Sequence, residues 1–553
     1  MTNRVKVVAL GLVATIAIGC EDSLVAENLN NPERERVFAL PAAIEQILGS
    51  GYQLCRNTEK GQDMTAQLQV MSGESYSALN NLNMGPRDAI PRAPILNSPA
   101  ASQALYGNFG GWSRQSRLLA LSLAQLDSIR EAEADGAALT TAARDIRARA
   151  MGFFNLGCTL GWLSLAYDSA AIVDHTERNV DIVPPLSGYK EVNAAALAFL
   201  DSAIAVVGTG TDASAGFPAE ALWFGGNALS RADFVKLARS MKARFRADVA
   251  RSKAERDAVD WAKVAADADN GISTDFLVNI GGSTGWSIGF QSSQQHVSAA
   301  WAQLTVMYNG FADTSGAYQT WLQTPVLLRS PVNETLVIRT PDKRWPQGND
   351  FTAQRAAGPI GSGQPPSYTS YPYNRVRAAG DWSPGDPWGE SWYSNYRYKY
   401  IRNNSSQGQY PDDLKAEMTL LAAEAYLRLG DMTNGLARLN VSRVAAGLPA
   451  VTGANKDALL TGSACVPRVP VGPTFTTVAC GSIFEAMKYE WRMEMAYNRL
   501  GAWFYAGRGW DDLVAGTPLF YPVPFEEMGA RQAAFYNVGG GGYGTAPVGT
   551  YKF

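Results

Sequence analysis

Apolar residues recur at helical spacing in two separated parts of the chain. Leu119, Leu123 and Leu126 stand at i, i+4 and i+7, one face of a helix that ends near Ile129. Residues 143–167, ARDIRARAMGFFNLGCTLGWLSLAY, are apolar around most of the circumference and predict a long buried helix. Over 189–207, Ala195, Leu197, Ala198, Leu200, Ala203 and Ile204 supply one apolar stripe. Phe234, Leu237, Ala238, Met241 and Phe245 give another, with basic residues opposite. Between Arg231 and Arg256 nine basic residues face three acidic ones, which reads as a solvated face rather than a polyanion site. The pattern returns over 412–429 and 432–446, broken at Gly430-Asp431, and over 482–498, where Phe484, Met487, Trp491 and Met495 share a side. Helices paired in this way suggest TPR-like packing, although no strict 34-residue period emerges.

Between 270 and 411 the helical period fades. This stretch holds seven of the fourteen tryptophans (286, 301, 321, 345, 382, 388 and 392) and is rich in Gly, Pro, Ser and Asn. It predicts long loops and short strands laid over a helical scaffold, the kind of excursion that carries function. Tyr396, Tyr398 and Tyr400, alternating with Arg397 and Lys399, read as a half-buried strand. The expected fold is mostly α: one domain over 41–553, with a helical scaffold at 41–269 and 412–513, the loop-rich segment at 270–411 and an irregular tail at 514–553.

The first forty residues stand apart. Arg4 and Lys6 precede an apolar run from Val7 to Ile18, long enough for an export signal and too short to span a membrane. Ala17-Ile18-Gly19-Cys20 resembles a bacterial lipobox, with Ala17 where Leu is usual. The reading is a signal peptide over 1–19, lipidation at Cys20 and a polar tether over 20–40, which ties the chain to a membrane by acyl chains. The remaining cysteines are Cys55, Cys158, Cys465 and Cys480. Four allow three pairings; Cys465 and Cys480 bracket a Pro/Gly/Thr-rich loop and are natural partners, leaving Cys55 with Cys158. Two histidines exclude a His-rich metal site, and no cofactor or metal is expected. A net charge of −3 argues against nucleic acid.

Several long segments, in order, resemble the SusD/RagB family of outer-membrane nutrient-uptake lipoproteins. They are IRARAMGFFNLGCTLGWLSLAY, DFVKLARSMKARFRADVARS, YNGFADTSGAYQTWLQTP, TPDKRWPQG, residues 414–449 and residues 485–513, followed by PLFYPVPFEEM. The resemblance implies a non-catalytic, surface-exposed lipoprotein with TPR-like helices. It implies a SusC-like, TonB-dependent outer-membrane barrel as partner, to which the protein hands oligosaccharides or, in some branches, peptides. It also implies a binding face built from the loop after the first helices, about 71–95, and from the aromatic middle segment.

A glycan site needs flat rings against sugar C–H faces and polar groups for the hydroxyls. Trp345, Trp382 and Trp388 lie among turn residues, Trp286 follows Gly282-Ser283-Thr284-Gly285, and Tyr76 and Asn81 lie in ESYSALNNLNMGPRD. These six are the candidate ligand contacts. A peptide ligand would instead lean on charges such as Asp381, Asp386 or Arg87, and a surface scaffold without a small ligand is the third reading. Two G-x-S-x-G matches, 281–285 and 285–289, lack a triad in chain order, since His296 follows too closely and His175 lies upstream. No catalytic residue is expected.

Overall fold

A computed structural model of the chain describes residue 38 and residues 40–553, except 78–80, 100–104, 134–137, 178, 180–181, 282–283, 288, 290–302, 358–366 and 378–388. Cys20, Trp301, Trp382 and Trp388 lie outside the described residues. Eleven helices carry the scaffold. They are α1 (Pro41–Glu59), α2 (Gln62–Met71), α3 (Leu105–Ala132), α4 (Ala142–Ala166), α5 (Tyr189–Val207), α6 (Arg231–Asp248), α7 (Trp261–Asp269), α8 (Lys415–Leu429), α9 (Met432–Ala445), α10 (Ile483–Met495) and α11 (Ala502–Gly509). From α3 to α9 each packs on the next; α1 lies against α3 and α4, and α10 lies against α8 and α9. The α7–α8 contact closes the row across the long excursion between them, as the TPR-like expectation requires. Among the described residues, no helix is long and apolar enough to cross a membrane.

Local chemistry sets the helix ends. Ser482 Oγ accepts from Glu485 N at 3.2 Å, an N-cap with an acid three residues on. Gly430, at φ +79°, takes the left-handed position that ends α8, and Asp431 then caps α9 through Asn434 N at 3.0 Å. Close packing needs bare backbone in places: a Cβ on Gly157 of α4 would sit 2.6 Å from Leu200 of α5. Trp112 of α3 stacks on Trp162 of α4 at 6.2 Å.

The strands are short: β1 (Ser169–Ala171), β2 (Leu186–Gly188), β3 (Phe276–Ile280), β4 (Gln303–Thr305), β5 (Asn374–Val376), β6 (Glu390–Asn395), β7 (Gly408–Asp413), β8 (Arg468–Val471) and β9 (Thr477–Cys480). All pair antiparallel: β1 with β2, β3 with β7, β6 with β4 and β5, and β8 with β9. The tyrosine alternation is not a strand. The ladder runs through Glu390–Asn395, ends where Tyr396 N donates to Tyr373 O at 2.8 Å, and turns at once, with Lys399 N donating to Tyr396 O at 3.0 Å. Tyr398 is fully buried and stacks obliquely on Tyr410 at 5.2 Å.

The basic stretch also departs from its sequence reading. Arg244 and Arg256 are buried, and they belong to a chain of ion pairs through the scaffold. Arg56 meets Asp412 at 2.7 Å, Arg244 binds Asp413 and, at 2.6 Å, Glu417, and Arg499 joins Glu417 to Asp248. Arg256 spans Asp248 at 3.3 Å and Glu424 at 2.7 Å. Only tertiary packing brings these carboxylates, from β7, α6 and α8, to the guanidinium groups. A lone buried charge is costly, and paired, hydrogen-bonded ones are tolerated.

Cys465 and Cys480 are disulfide-bonded and close the loop that carries the β8–β9 hairpin. Cys55 and Cys158 are not bonded. They are buried free thiols on α1 and α4, and burial, with the neighbouring Cys158 thiol adding to it, pushes the Cys55 thiol well up. Pairing by elimination assumed that every exported cysteine is oxidised, whereas these two behave as small apolar side chains in the helix interface.

Candidate functional site

The loop after α2 runs across the short β4–β6 ladder. Thr305 Oγ1 donates to Gly73 O at 2.8 Å, and Tyr76 N donates to Gln303 O at 2.9 Å. Gly73 has φ +70°, and a Cβ there would meet the Tyr308 ring at 2.7 Å, so only glycine lets the loop lie this close. The loop then folds back on itself, with Ser77 N donating to Asp88 Oδ2 at 2.8 Å. From the other side, Gly389 O accepts from Val306 N at 2.6 Å.

These segments enclose a cavity of about 210 Å³. Tyr76, Ser77, Asp88 and Thr305 supply its polar groups; Ala89, Ile90 and Met307 supply apolar surface, and Gly85 and Gly389 leave backbone bare. Asp88 also faces Arg92 at 3.7 Å. The site therefore offers an anionic acceptor, hydroxyls and a small apolar wall, the mixture that a small polar ligand with one apolar face requires.

Beneath it lies Glu74, only 1% exposed. Its Oε1 accepts from Tyr497 N at 2.5 Å, and its Oε2 has no hydrogen-bond partner among the described residues. Burial pushes the carboxyl up to about 8, against the pull of the Tyr497 N–H and Arg499, so the group is largely protonated at neutral pH. A neutral acid at this point fastens the root of the loop to the turn after α10 without placing a charge in the core.

Of the sequence candidates, Tyr76 lines the cavity and is half-buried. Asn81 is exposed at the loop tip, outside the lining, where its Oδ1 accepts from Leu82 N at 2.8 Å. Trp286 and Trp345 are corrected. Trp286 is 3% exposed, its Nε1 donates to Leu222 O at 3.3 Å, and Arg56 lies 5.6 Å from its ring. Trp345 is 0% exposed and meets Tyr393 edge-on at 5.3 Å. Neither presents a ring face to a ligand; both hold down loops, as buried aromatics in irregular regions commonly do. Arg87 is also buried, its Nη1 donating to Pro94 O at 3.1 Å. Sequence reasoning missed Ser77, Asp88, Thr305 and Met307. Ser77 and Asp88 stand in the quoted loop motif, but a register of eleven residues between them gives no periodic signal. Thr305 and Met307 are ordinary residues of a strand end and of the one-turn helix after it until the loop is laid over them.

No family model and no curated protein matches the sequence. Solved structures do match in fold. A SusD superfamily protein from Bacteroides vulgatus ATCC 8482 gives a TM-score of 0.51 at 12% identity, covering 86% of this chain and 89% of its own. A laminarin-binding SusD-like protein gives 0.48 at 13% identity, covering 91% and 99%. The surface glycan-binding protein A from Bacteroides uniformis gives 0.48 at 13%, covering 90% and 99%. At 12% identity the first likeness establishes the architecture: the chain has a mostly helical, SusD-like fold over most of its length.

Proposed function

We propose that the protein is a non-catalytic, lipid-anchored binding protein of the outer surface that captures oligosaccharides and passes them to a SusC-like, TonB-dependent outer-membrane transporter. One observation carries the reading. The 73–90 loop and the β4–β6 region, which lie within the two parts that the family resemblance assigns to ligand binding (about 71–95 and the 270–411 segment), meet in this chain around a cavity that takes one small polar unit. Its chemistry suits a sugar ring: Ile90 and Met307 can cover a C–H face while Asp88, Ser77 and Thr305 take hydroxyls. Lipidation at Cys20 and the exterior location belong to the same proposal, supported by the lipobox-like sequence.

The test pairs binding with capture. Tyr76→Ala should weaken oligosaccharide binding about tenfold, equivalent to about 1.4 kcal/mol, with the melting temperature nearly unchanged, and Asp88→Ala should weaken it as much while also lowering the melting temperature, since it frees Ser77 N and the buried Arg92. Tagged full-length protein, drawn from gently solubilised outer membranes of its host, should bring down a large TonB-dependent barrel. Affinity untouched by both substitutions would remove the cavity from the site. Binding of peptides alone, falling steeply with salt, would replace the sugar by a peptide. A barrel without any small ligand would leave a surface scaffold.

A further inference from the structure

The lining of the cavity beside Tyr76 is unbalanced in charge and in hydrogen-bonding sense. Among the described lining residues Asp88 carries the one charge, and there is no lysine, arginine or histidine. Its side chain is 15% exposed, so the carboxylate is largely withdrawn from bulk water yet borders the cavity. An ionised carboxylate only accepts hydrogen bonds. Thr305 spends its hydroxyl proton on Gly73 O at 2.8 Å, so towards the cavity it too can only accept. The backbone donors alongside are engaged as well. Tyr76 N donates to Gln303 O at 2.9 Å, Ser77 N to Asp88 Oδ2 at 2.8 Å and Ala89 N to Gly85 O at 3.0 Å.

Two guanidinium groups lie nearby and do not reverse this. Arg87 and Arg92 are 3% and 6% exposed and are not part of the lining. Arg87 Nη1 donates to Pro94 O at 3.1 Å. Arg92 donates to Arg87 O at 2.6 Å and to Thr517 Oγ1 at 3.2 Å, and it faces Asp88 at 3.7 Å. Buried in this way, they offset part of the Asp88 field without coming into contact with a ligand. By sequence, 78–80 and 378–388, which adjoin Ser77 and Gly389, hold no basic residue, and the second holds Asp381 and Asp386.

Resting on the proposal that this cavity is the saccharide site, we infer that it selects by charge: it accepts a sugar unit that is neutral or carries a free amino group, and rejects one that carries a carboxylate or sulfate. Asp88 is the residue that decides. A sugar hydroxyl can donate to the Asp88 and Thr305 oxygens, and an ammonium group donates with charge assistance. A sugar carboxylate or sulfate instead brings acceptors to acceptors. It would also leave water for a cavity with no cation in its described lining, beside a like charge, and both effects oppose binding. Recognition of such groups relies on Arg or Lys in direct contact.

An array of defined oligosaccharides, with neutral, amino, uronic and sulfated members on gluco, galacto and manno backbones, tests this. It is probed with the full-length chain, Tyr76→Ala and Asp88→Asn; asparagine keeps the shape and an oxygen for Ser77 N while removing the charge. Every saccharide whose binding is lost in Tyr76→Ala should be neutral or amino-bearing. In titration, the uronic counterpart of the best neutral ligand should bind about tenfold more weakly or worse, and Asp88→Asn should close that gap to about threefold or less. Three results would overturn the charge rule and leave the proposed function standing: an acidic saccharide whose binding disappears with Tyr76→Ala, a uronic counterpart of equal affinity, or a gap unmoved by Asp88→Asn. Saccharide binding that Tyr76→Ala does not weaken, or no saccharide binding at all, would overturn the cavity as the site and the inference with it.

Discussion

Replacing Glu424 by Gln removes one charge from the centre of the scaffold with almost no change in shape. Glu424 is fully buried on α8, and four hydrogen bonds converge on it. Its Oε1 accepts from Arg256 Nε at 2.8 Å, Arg428 Nε at 2.8 Å and Trp510 Nε1 at 2.9 Å, and its Oε2 accepts from Arg256 Nη2 at 2.7 Å. Burial alone would raise the carboxyl, but the Arg256 and Arg428 charges overcome it and hold it at about 2, against an ordinary value of 4.5. That depression corresponds to about 3 kcal/mol at roughly 1.36 kcal/mol per pH unit. Breaking one side of a buried pair costs about 3–5 kcal/mol by a separate route, so the two agree.

The folded value lies below the unfolded one, so this stabilisation is fully present above pH 4.5 and is lost as pH falls towards 2. At about 2.1 cal/mol/K per residue, the 553-residue chain has an unfolding entropy near 1.2 kcal/mol/K, and Glu424→Gln should lower the melting temperature by about 3 °C. Scanning calorimetry of both proteins at one scan rate, between pH 7 and pH 3, measures the gap. It should be full at pH 7 and narrow steadily below pH 4.5. A gap that does not change with pH would show that the charge is not the source, and a gap under 1 °C at pH 7 would refute the ion-pair argument altogether.

Glu74 should behave in the opposite sense: its folded value, about 8, lies above the unfolded 4.5, so stability falls as pH rises between them. Glu74→Gln should therefore gain on the wild type as pH goes from 5 to 8, by melting temperature; a gap fixed across that range would contradict a protonated Glu74. Replacing Cys465 and Cys480 by Ser opens a loop of 15 residues and should cost about 3 kcal/mol in the chain-entropy model, with oligosaccharide affinity retained. Cys55 and Cys158, being buried thiols, should react with a thiol reagent only after denaturation; prompt reaction in the native protein would show that α1 and α4 part readily. Trp345→Ala should cost about 3–5 kcal/mol as a core truncation without the selective loss of affinity that Tyr76→Ala produces.

The helices α3 to α6 and α8 to α10 were legible in the chain, because an amphipathic period is a local property: Leu119, Leu123 and Leu126 share a face whatever packs on it; the nine-residue α7 was not named from the sequence. The Cys465–Cys480 pair was legible for the same reason, as its loop is short. The loop 71–95 could be named as part of a site through resemblance, and Tyr76 does line the cavity. What the chain could not show was which aromatic rings face inward. Trp286 and Trp345 sit among turn residues, where composition gives no direction, and only the folding of β3–β7 and β4–β6 decides that both are enclosed. Charge shows the same division. Arg244 and Arg256 look like a wet helix face in one dimension, since their partners Asp413, Glu417, Asp248 and Glu424 come largely from a segment about 170 residues further on. Periodicity along the chain fixes which residues are helical and which side is apolar; burial, ion pairing and the shape of a cavity depend on what arrives from far away in sequence, and that is decided only when the elements pack.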